Sequence, residues 1–138
     1  MTDDALTAAY RRTRFCVDTE QVRLVIRVGE VCPALDALLR ATGCRTWAYI
    51  TAFNPGSVPS GKSENDARQR ELEDTVRRLG HPVLYGEGIG DDGMWPPEPS
   101  MLVLGIEREA AVELGRRFDQ RAIVCGKHGG LAALVLCE

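Results

Sequence analysis

The sequence has almost no lysine. Lys62 and Lys127 stand against fifteen arginines, and twenty acidic residues bring the formal net charge to −3. No global field therefore draws the chain to nucleic acid or to an anionic membrane surface. Arginine is the better bidentate partner for carboxylate or phosphate, so local basic patches stay open, although high-GC coding produces the same bias. Cysteine is present but never closely spaced. Cys16, Cys32, Cys44, Cys125 and Cys137 are odd in number, and no two lie two or three residues apart. That argues against a zinc site and against a disulfide framework. No apolar run approaches the ~18 residues that a membrane-crossing helix needs. The opening Met1-Thr2-Asp3-Asp4 is acidic and lacks an apolar core, so it does not read as a signal peptide. Internal repeats, heptads and low-complexity tracts are missing too.

What is present is an ordinary globular composition: 138 residues, 44% hydrophobic and 27% charged. One domain over residues 1–138 is the expectation at this length. A chain of this size buries roughly two-thirds of its unfolded surface without staples. Most cysteines sit in apolar runs, where a free thiol acts as a small buried hydrophobe. The set reads as that of a reducing, cytoplasmic compartment.

Thr2 suits a helix cap, with Asp3 and Asp4 in the opening turn and Leu6, Ala9 and Tyr10 on the inner face. Arg14 to Asp18 and Val22 to Val28 read as a hairpin about Thr19-Glu20-Gln21, with Val22, Leu24 and Ile26 inward. Pro33 opens a second helix that Gly43 closes, with Leu35, Leu38 and Leu39 inward. Thr46 to Phe53 is almost unbroken in apolar character, the mark of a central strand covered on both faces. A charged helix opens at Ser63 and stops at Gly80-His81-Pro82. Its inward stripe of Leu72, Val76 and Leu79 runs back at helical spacing through Arg68 and Asn65. A guanidinium and an amide thus occupy the side of the first turns where apolar residues belong, and buried Arg is rare unless paired.

Val83 to Tyr85 is a short strand, Gly86 to Gly93 a glycine-rich acidic loop, and Trp95 to Pro99 proline-rich. Irregular stretches beyond ~12 residues in a compact domain are usually functional or disordered. Met101 to Ile106 is a strand, Arg108 to Phe118 a helix, and Arg121 to Cys125 with Leu131 to Cys137 a second hairpin. Four helices and about six or seven strands give an α+β fold around one mixed β-sheet, with hairpins near both ends. The strand–helix–strand unit from Thr46 to Tyr85 fits a right-handed parallel crossover.

Two glycine patterns look like nucleotide signatures. Gly56, four residues, then Gly61-Lys62-Ser63 matches the phosphate loop, after a strand and before a helix as required. Pro59 removes one backbone N–H from the middle of the cradle, the chain is short for such a core, and its ends read as antiparallel hairpins. A phosphate-loop nucleotidase is the least favoured reading. Anion binding at the same helix N-terminus needs only free N–H groups and the dipole. Gly88-Ile89-Gly90-Asp91-Asp92-Gly93 matches the dinucleotide pattern, but Met94-Trp95-Pro96-Pro97 cannot open the helix that should hold the pyrophosphate. Asp91 and Asp92 lack the ligand spacing of a hard-cation site. No metal site is assigned, and no motif names a cofactor. His81 and His128 lie beside turn residues and read as surface histidines; a Cys–His pair would have to meet in space. Trp95 is either a packing anchor or a platform for a ring-bearing ligand.

The residues also carry a resemblance. It rests on Ala9-Tyr10 with Thr13, Thr51-Ala52-Phe53-Asn54-Pro55 with Ser57, and Asn65 with Arg68. It continues through Trp95, Glu98 and Ser100 to Phe118, Gln120 and Ala122. In these the chain resembles the bacterial domain-of-unknown-function family designated thirty-two ninety-three over nearly its whole length. That pattern emphasises Asn-Pro, the later Asn and Arg, and the Trp-Glu-Ser segment, not Gly61-Lys62. The doubled proline Pro96-Pro97 alters the spacing between Trp95 and Ser100. The resemblance implies no established activity.

Both readings converge on one polar set. Thr51, Asn54, Ser57, Asn65 and Arg68 are expected at the carboxyl end of the central strand and the start of its helix, approached by Glu98 and Ser100. Arg68 paired with Glu98 would hold loop to helix. The expected function is binding of a small anionic ligand, a nucleotide or phosphorylated metabolite. Arg68, Lys62 and the helix N-terminus hold the anion, and Asn54, Asn65 and Ser57 orient it. Trp95, Ser100 and Gln120 complete the candidate set. In an enzyme, Glu98 is the general base, for hydrolysis or group transfer. The alternative is a protein-interaction module using the loop from Gly86 to Pro99. Oligomeric state is left open, a homo-oligomer included.

Overall fold

In the computed structural model, which describes residues 2–93 and 95–137, the chain runs α1 (Asp3–Arg11), β1 (Thr13–Asp18), β2 (Arg23–Ile26), α2 (Pro33–Thr42), β3 (Thr46–Ile50), a 3-10 turn (Pro55–Ser57), α3 (Lys62–Arg78), β4 (Val83–Gly90), β5 (Glu98–Leu104), α4 (Arg108–Arg117), β6 (Ala122–Lys127) and β7 (Ala133–Leu136). Met1 and Met94, which belong to stretches read above, lie outside the described residues, as does Glu138. Local chemistry sets the helix ends. Thr2 Oγ1 accepts the Ala5 N–H at 3.1 Å. Pro33 occupies the first turn of α2, and Gly43 closes that helix at φ 71°, where a side chain would be strained.

The strands form one sheet in the order β2-β1-β4-β5-β3-β6-β7. The α+β class, the helix and strand numbers and both terminal hairpins agree with the sequence reading. Every ladder between named strands is antiparallel. The one parallel pairing among the described residues is the bridge between Val28 and Ala132. There the Gly29 N–H reaches Ala132 O at 2.8 Å, and the Ala132 N–H reaches Glu30 O at 2.9 Å. It ties the residues just past β2 to those just before β7, so the sheet curls until its outer strands touch at one point.

The crossover expected from Thr46 to Tyr85 does not join neighbouring strands, because β5 lies between β3 and β4. Two antiparallel steps leave β3 and β4 pointing the same way. The glycine-rich loop is also corrected. β4 continues to Gly90, paired with β1 from Val17↔Gly86 to Thr13↔Gly90 and with β5 as far as Gly88↔Glu98. Glycine is a poor strand former, but the close approach demands it here: a Cβ on Gly86 would lie 1.8 Å from the Cys16 carbonyl oxygen. Val22 and Leu79, both expected inward, are exposed at the β1–β2 turn and at the end of α3. Val22 precedes the first residue of β2 and Leu79 follows the last residue of α3, so the period of the element places neither.

Two apolar clusters sit on the two faces of the sheet. Ala48 and Ile50 of β3 pack with Leu72 and Val76 of α3 and with Ala111 and Leu114 of α4. Trp47 and Tyr49, their neighbours on the same strand, pack with Leu35 and Leu39 of α2. Side chains alternate across a strand, so an unbroken apolar run is a strand covered on both sides, as expected for β3.

Candidate functional site

The ladder between β3 and β5 ends at Ile50↔Met101. Beyond it, side chains take over. Thr51 Oγ1 donates to Pro99 O at 2.8 Å and accepts the Phe53 N–H at 3.1 Å. Gln69 of α3 accepts the Ala52 N–H through Oε1 at 2.8 Å and donates to Pro99 O through Nε2 at 3.3 Å. The chain then turns at Asn54, whose φ of 48° is left-handed, a conformation that Asn tolerates better than most residues.

A hydrogen-bonded chain holds that turn. The Asn54 N–H donates to Asn65 Oδ1 at 2.9 Å, while Asn54 Oδ1 accepts from Asn65 Nδ2 and from the Ser60 N–H, each at 2.9 Å. Asn65 is only 4% exposed. Behind it, Arg68 Nη2 donates to Asn65 Oδ1 at 3.0 Å and to Ser60 Oγ at 2.8 Å. In the other direction, Asn54 Nδ2 donates to Glu98 Oε1 at 2.7 Å, and Trp95 Nε1 donates to the same oxygen at 3.2 Å. The order is Arg68, Asn65, Asn54, Glu98, Trp95. The expected Arg68–Glu98 pair is therefore not formed: two asparagines link the guanidinium to the carboxylate. Glu98 Oε2 accepts no hydrogen bond from the described residues.

Glu98 lines a cavity of about 320 Å³. Tyr10, Phe15, Tyr49, Phe53 and Trp95 contribute rings to its wall. Tyr10 and Phe15 stand 5.8 Å apart between centroids, and Phe15 meets Tyr49 edge-on at 5.3 Å. Gly88 and Gly90 of β4 form part of the same wall, and their missing side chains leave the space open. The Tyr10 hydroxyl donates to Ala122 O at 3.4 Å, and the Tyr49 hydroxyl donates to Cys16 O at 2.8 Å. Burial, and after it the nearby charge of Glu98, pushes the Tyr10 phenol well above its ordinary pKa. Burial does the same to Tyr49, partly offset by the Ser100 hydroxyl. Both phenols stay protonated at neutral pH. The charged groups in the wall are Arg12, Asp92 and Glu98, so two carboxylates face one guanidinium.

Of the residues singled out in the sequence, Thr51, Asn54, Ser57, Trp95, Glu98, Ser100 and Gln120 line this cavity, and Lys62, Asn65 and Arg68 do not. Lys62 is exposed at the start of α3 and pairs with Asp66 at 2.6 Å. Gln120 ties the start of β6 to the turn by donating to Phe53 O at 3.1 Å. Tyr10 entered the sequence reading as a core-facing residue of the first helix and through the resemblance, Thr13 only through the resemblance, and Arg12, Tyr49 and Gln69 were not singled out. For Gln69 the signal was present: it lies one turn past Asn65 on the same inward stripe. For Arg12 and Tyr49 there was none, because the end of α1, β3 and β4 come to one cavity wall only in the folded chain.

The family described as "Protein of unknown function (DUF3293)" matches residues 50–123. The chain belongs to the DUF3293 family. No curated protein and no solved structure matches it. The DUF3293 segment starts at the last residue of β3 and ends at the second of β6, so it contains the whole chain from Arg68 to Trp95. Tyr10, Arg12 and Thr13 of the cavity wall lie outside it. Among the described residues no group of three or more His, Cys, Asp or Glu is placed to hold a metal. Asp91 is engaged by Arg27 at 3.0 Å and by Arg14 at 3.6 Å. No helix among the described residues is long and apolar enough to cross a membrane.

Proposed function

We propose that this DUF3293 protein binds a small organic molecule, with a planar ring and hydrogen-bond donors, in the Glu98 cavity. One observation carries the reading. Both donors that fix the carboxylate use Oε1, which leaves Oε2 for a ligand in a wall to which five aromatic residues contribute. A pre-positioned acceptor beside aromatic faces suits an amine, an amide or a ring N–H. The volume, about 320 Å³, lies at the small end of the roughly 300–1,000 Å³ typical of ligand pockets, so one or two fused rings fit better than a dinucleotide. Where the molecule is turned over, Glu98 is the general base through Oε2, for hydrolysis or group transfer.

The anionic ligand expected from the sequence has less support. Lys62 and Arg68 are outside the wall, and carboxylates outnumber cations within it. The phosphate-loop reading has less still. The N–H groups of Gly56, Ser57 and Val58 are engaged by Asp119 O at 2.7 Å, Asn54 O and Pro55 O, and that of Ser60 by Asn54 Oδ1, so the loop before the helix turns its donors inward and not toward a phosphate. A protein-contact loop from Gly86 to Pro99 keeps only residues 91–97, since β4 and β5 take the rest.

Titration with a panel of heteroaromatic amines tests the proposal. Trp95 lines the cavity and is 40% exposed, whereas Trp47 is 3% exposed. A ring entering the cavity quenches Trp95 emission, and Trp95→Phe removes the signal. A ligand at a hundred times its Kd stabilises the fold by about 2.7 kcal/mol. A panel that neither quenches Trp95 nor raises the Tm defeats the proposal.

A further inference from the structure

We infer that the groove between the end of α2 and the β6–β7 turn is a second binding site, for a small multivalent oxyanion of the phosphate-ester or pyrophosphate class. It shares no wall residue with the Glu98 cavity. Arg40, Arg45, Lys127 and His128 line a space of about 600 Å³ together with Leu39, Gly43 and Cys44, and no carboxylate lies in that wall. In a chain of net charge −3 with two lysines, this gathering of one sign is against the overall balance.

The fold forces the convergence. Thr46 pairs with Lys127 across β3 and β6, and the His128 N–H donates to Arg45 O at 2.8 Å. Arg40 Nη1 lies 3.0 Å from His128 Nε2, within hydrogen-bond distance. Arg40, Arg45 and Lys127 form no ion pair among the described residues, whereas Arg23, Arg27 and Arg77 each have a carboxylate partner. Asp36, one turn before Arg40 on α2, accepts the Gly129 N–H at 3.0 Å and is not part of the groove wall.

Cations near a helix C-terminus often serve its last carbonyls. Here three of the carbonyls at that end are already engaged: Leu38 O by Thr42 Oγ1 at 2.9 Å, Leu39 O by the Cys44 N–H at 3.0 Å, and Arg40 O by the Gly43 N–H at 3.3 Å. The like charges repel one another, and an oxyanion with two or more charges removes that repulsion. Arginine binds it by paired N–H groups and lysine as a point charge.

The test is calorimetry and phosphorus NMR on the full chain, with pyrophosphate and with inorganic phosphate. Saturable pyrophosphate binding that weakens with salt is expected, with phosphate weaker. Arg45→Gln and Lys127→Gln each weaken it about tenfold, and the double variant abolishes it. These side chains are at the surface, and circular dichroism confirms that the variants fold. Arg70→Gln removes an exposed arginine of α3 outside the groove and leaves the affinity unchanged. The inference is overturned if pyrophosphate shows no saturable binding up to about 10 mM, or if Arg70→Gln weakens binding as much as Arg45→Gln does, which would make the effect one of net charge.

Discussion

Replacing Asn65 by alanine removes the centre of the chain that runs from Arg68 to Trp95. The amide makes four hydrogen bonds: it accepts from the Asn54 N–H and Arg68 Nη2, and donates to Asn54 Oδ1 and to Ser60 O at 3.3 Å. A neutral hydrogen bond contributes about 0.5–1.5 kcal/mol net, and one to a charged group about 1.5–3 kcal/mol. Water re-enters the exposed loop and recovers part of that sum, so Asn65→Ala is expected to cost about 3 kcal/mol. Urea unfolding should show this as a lower midpoint at unchanged slope. Asn65→Asp is the sharper comparison. It keeps both acceptors and the Arg68 contact but loses both donors, and sets a carboxylate oxygen against Asn54 Oδ1 and Ser60 O. At pH 7 it should cost at least as much as alanine, and the deficit should shrink below about pH 4, where the protonated carboxyl regains one donor. A loss under about 1 kcal/mol for Asn65→Ala, or wild-type stability for Asn65→Asp, would refute the view that this amide holds the turn.

Other perturbations reach different parts of the molecule. A Cβ on Gly88 would sit 3.8 Å from Phe15 and Thr13, an ordinary contact, so Gly88→Val should fold and fill the cavity; unchanged quenching of Trp95 by an amine ligand would count against the site. Burial raises the Cys137 thiol to about 11 and shifts Cys125 upward. Alkylation at pH 8 should therefore reach the half-buried Cys32 and Cys44 first; early labelling of Cys137 in a peptide map would contradict the packing under α4. Hydrogen bonds from Arg27 and Arg23 hold Asp91 and Asp18 below the usual carboxylate range, and those from Tyr85 and then Arg77 do so for Glu73. A depressed folded-state pKa contributes stability above the unfolded value near 4 and loses it as pH falls through the folded value. The Tm should therefore drop below about pH 4, less steeply in Arg27→Gln and at high salt; an identical slope in that variant would remove Asp91 from the explanation.

The sequence by itself determined what local period and local chemistry can determine. The unbroken apolar run of β3 required cover on both faces, Pro33 and Gly43 bounded α2, and helical spacing put Asn65 and Arg68 on the inward side of α3. It also selected most of the polar residues around the Glu98 cavity, since amides and carboxylates cluster where β3 ends and β5 begins. Tertiary structure decided what those residues meet. Helical spacing says which side of α3 is inward but not what lies opposite, and the left-handed turn at Asn54 brought an amide there instead of open space. Asn65 and Arg68 became a brace, and Glu98 was left to face the cavity. The same reason explains β4. No local preference makes a strand of Gly86 to Gly90; the approach of β1, too close for any side chain on Gly86, does.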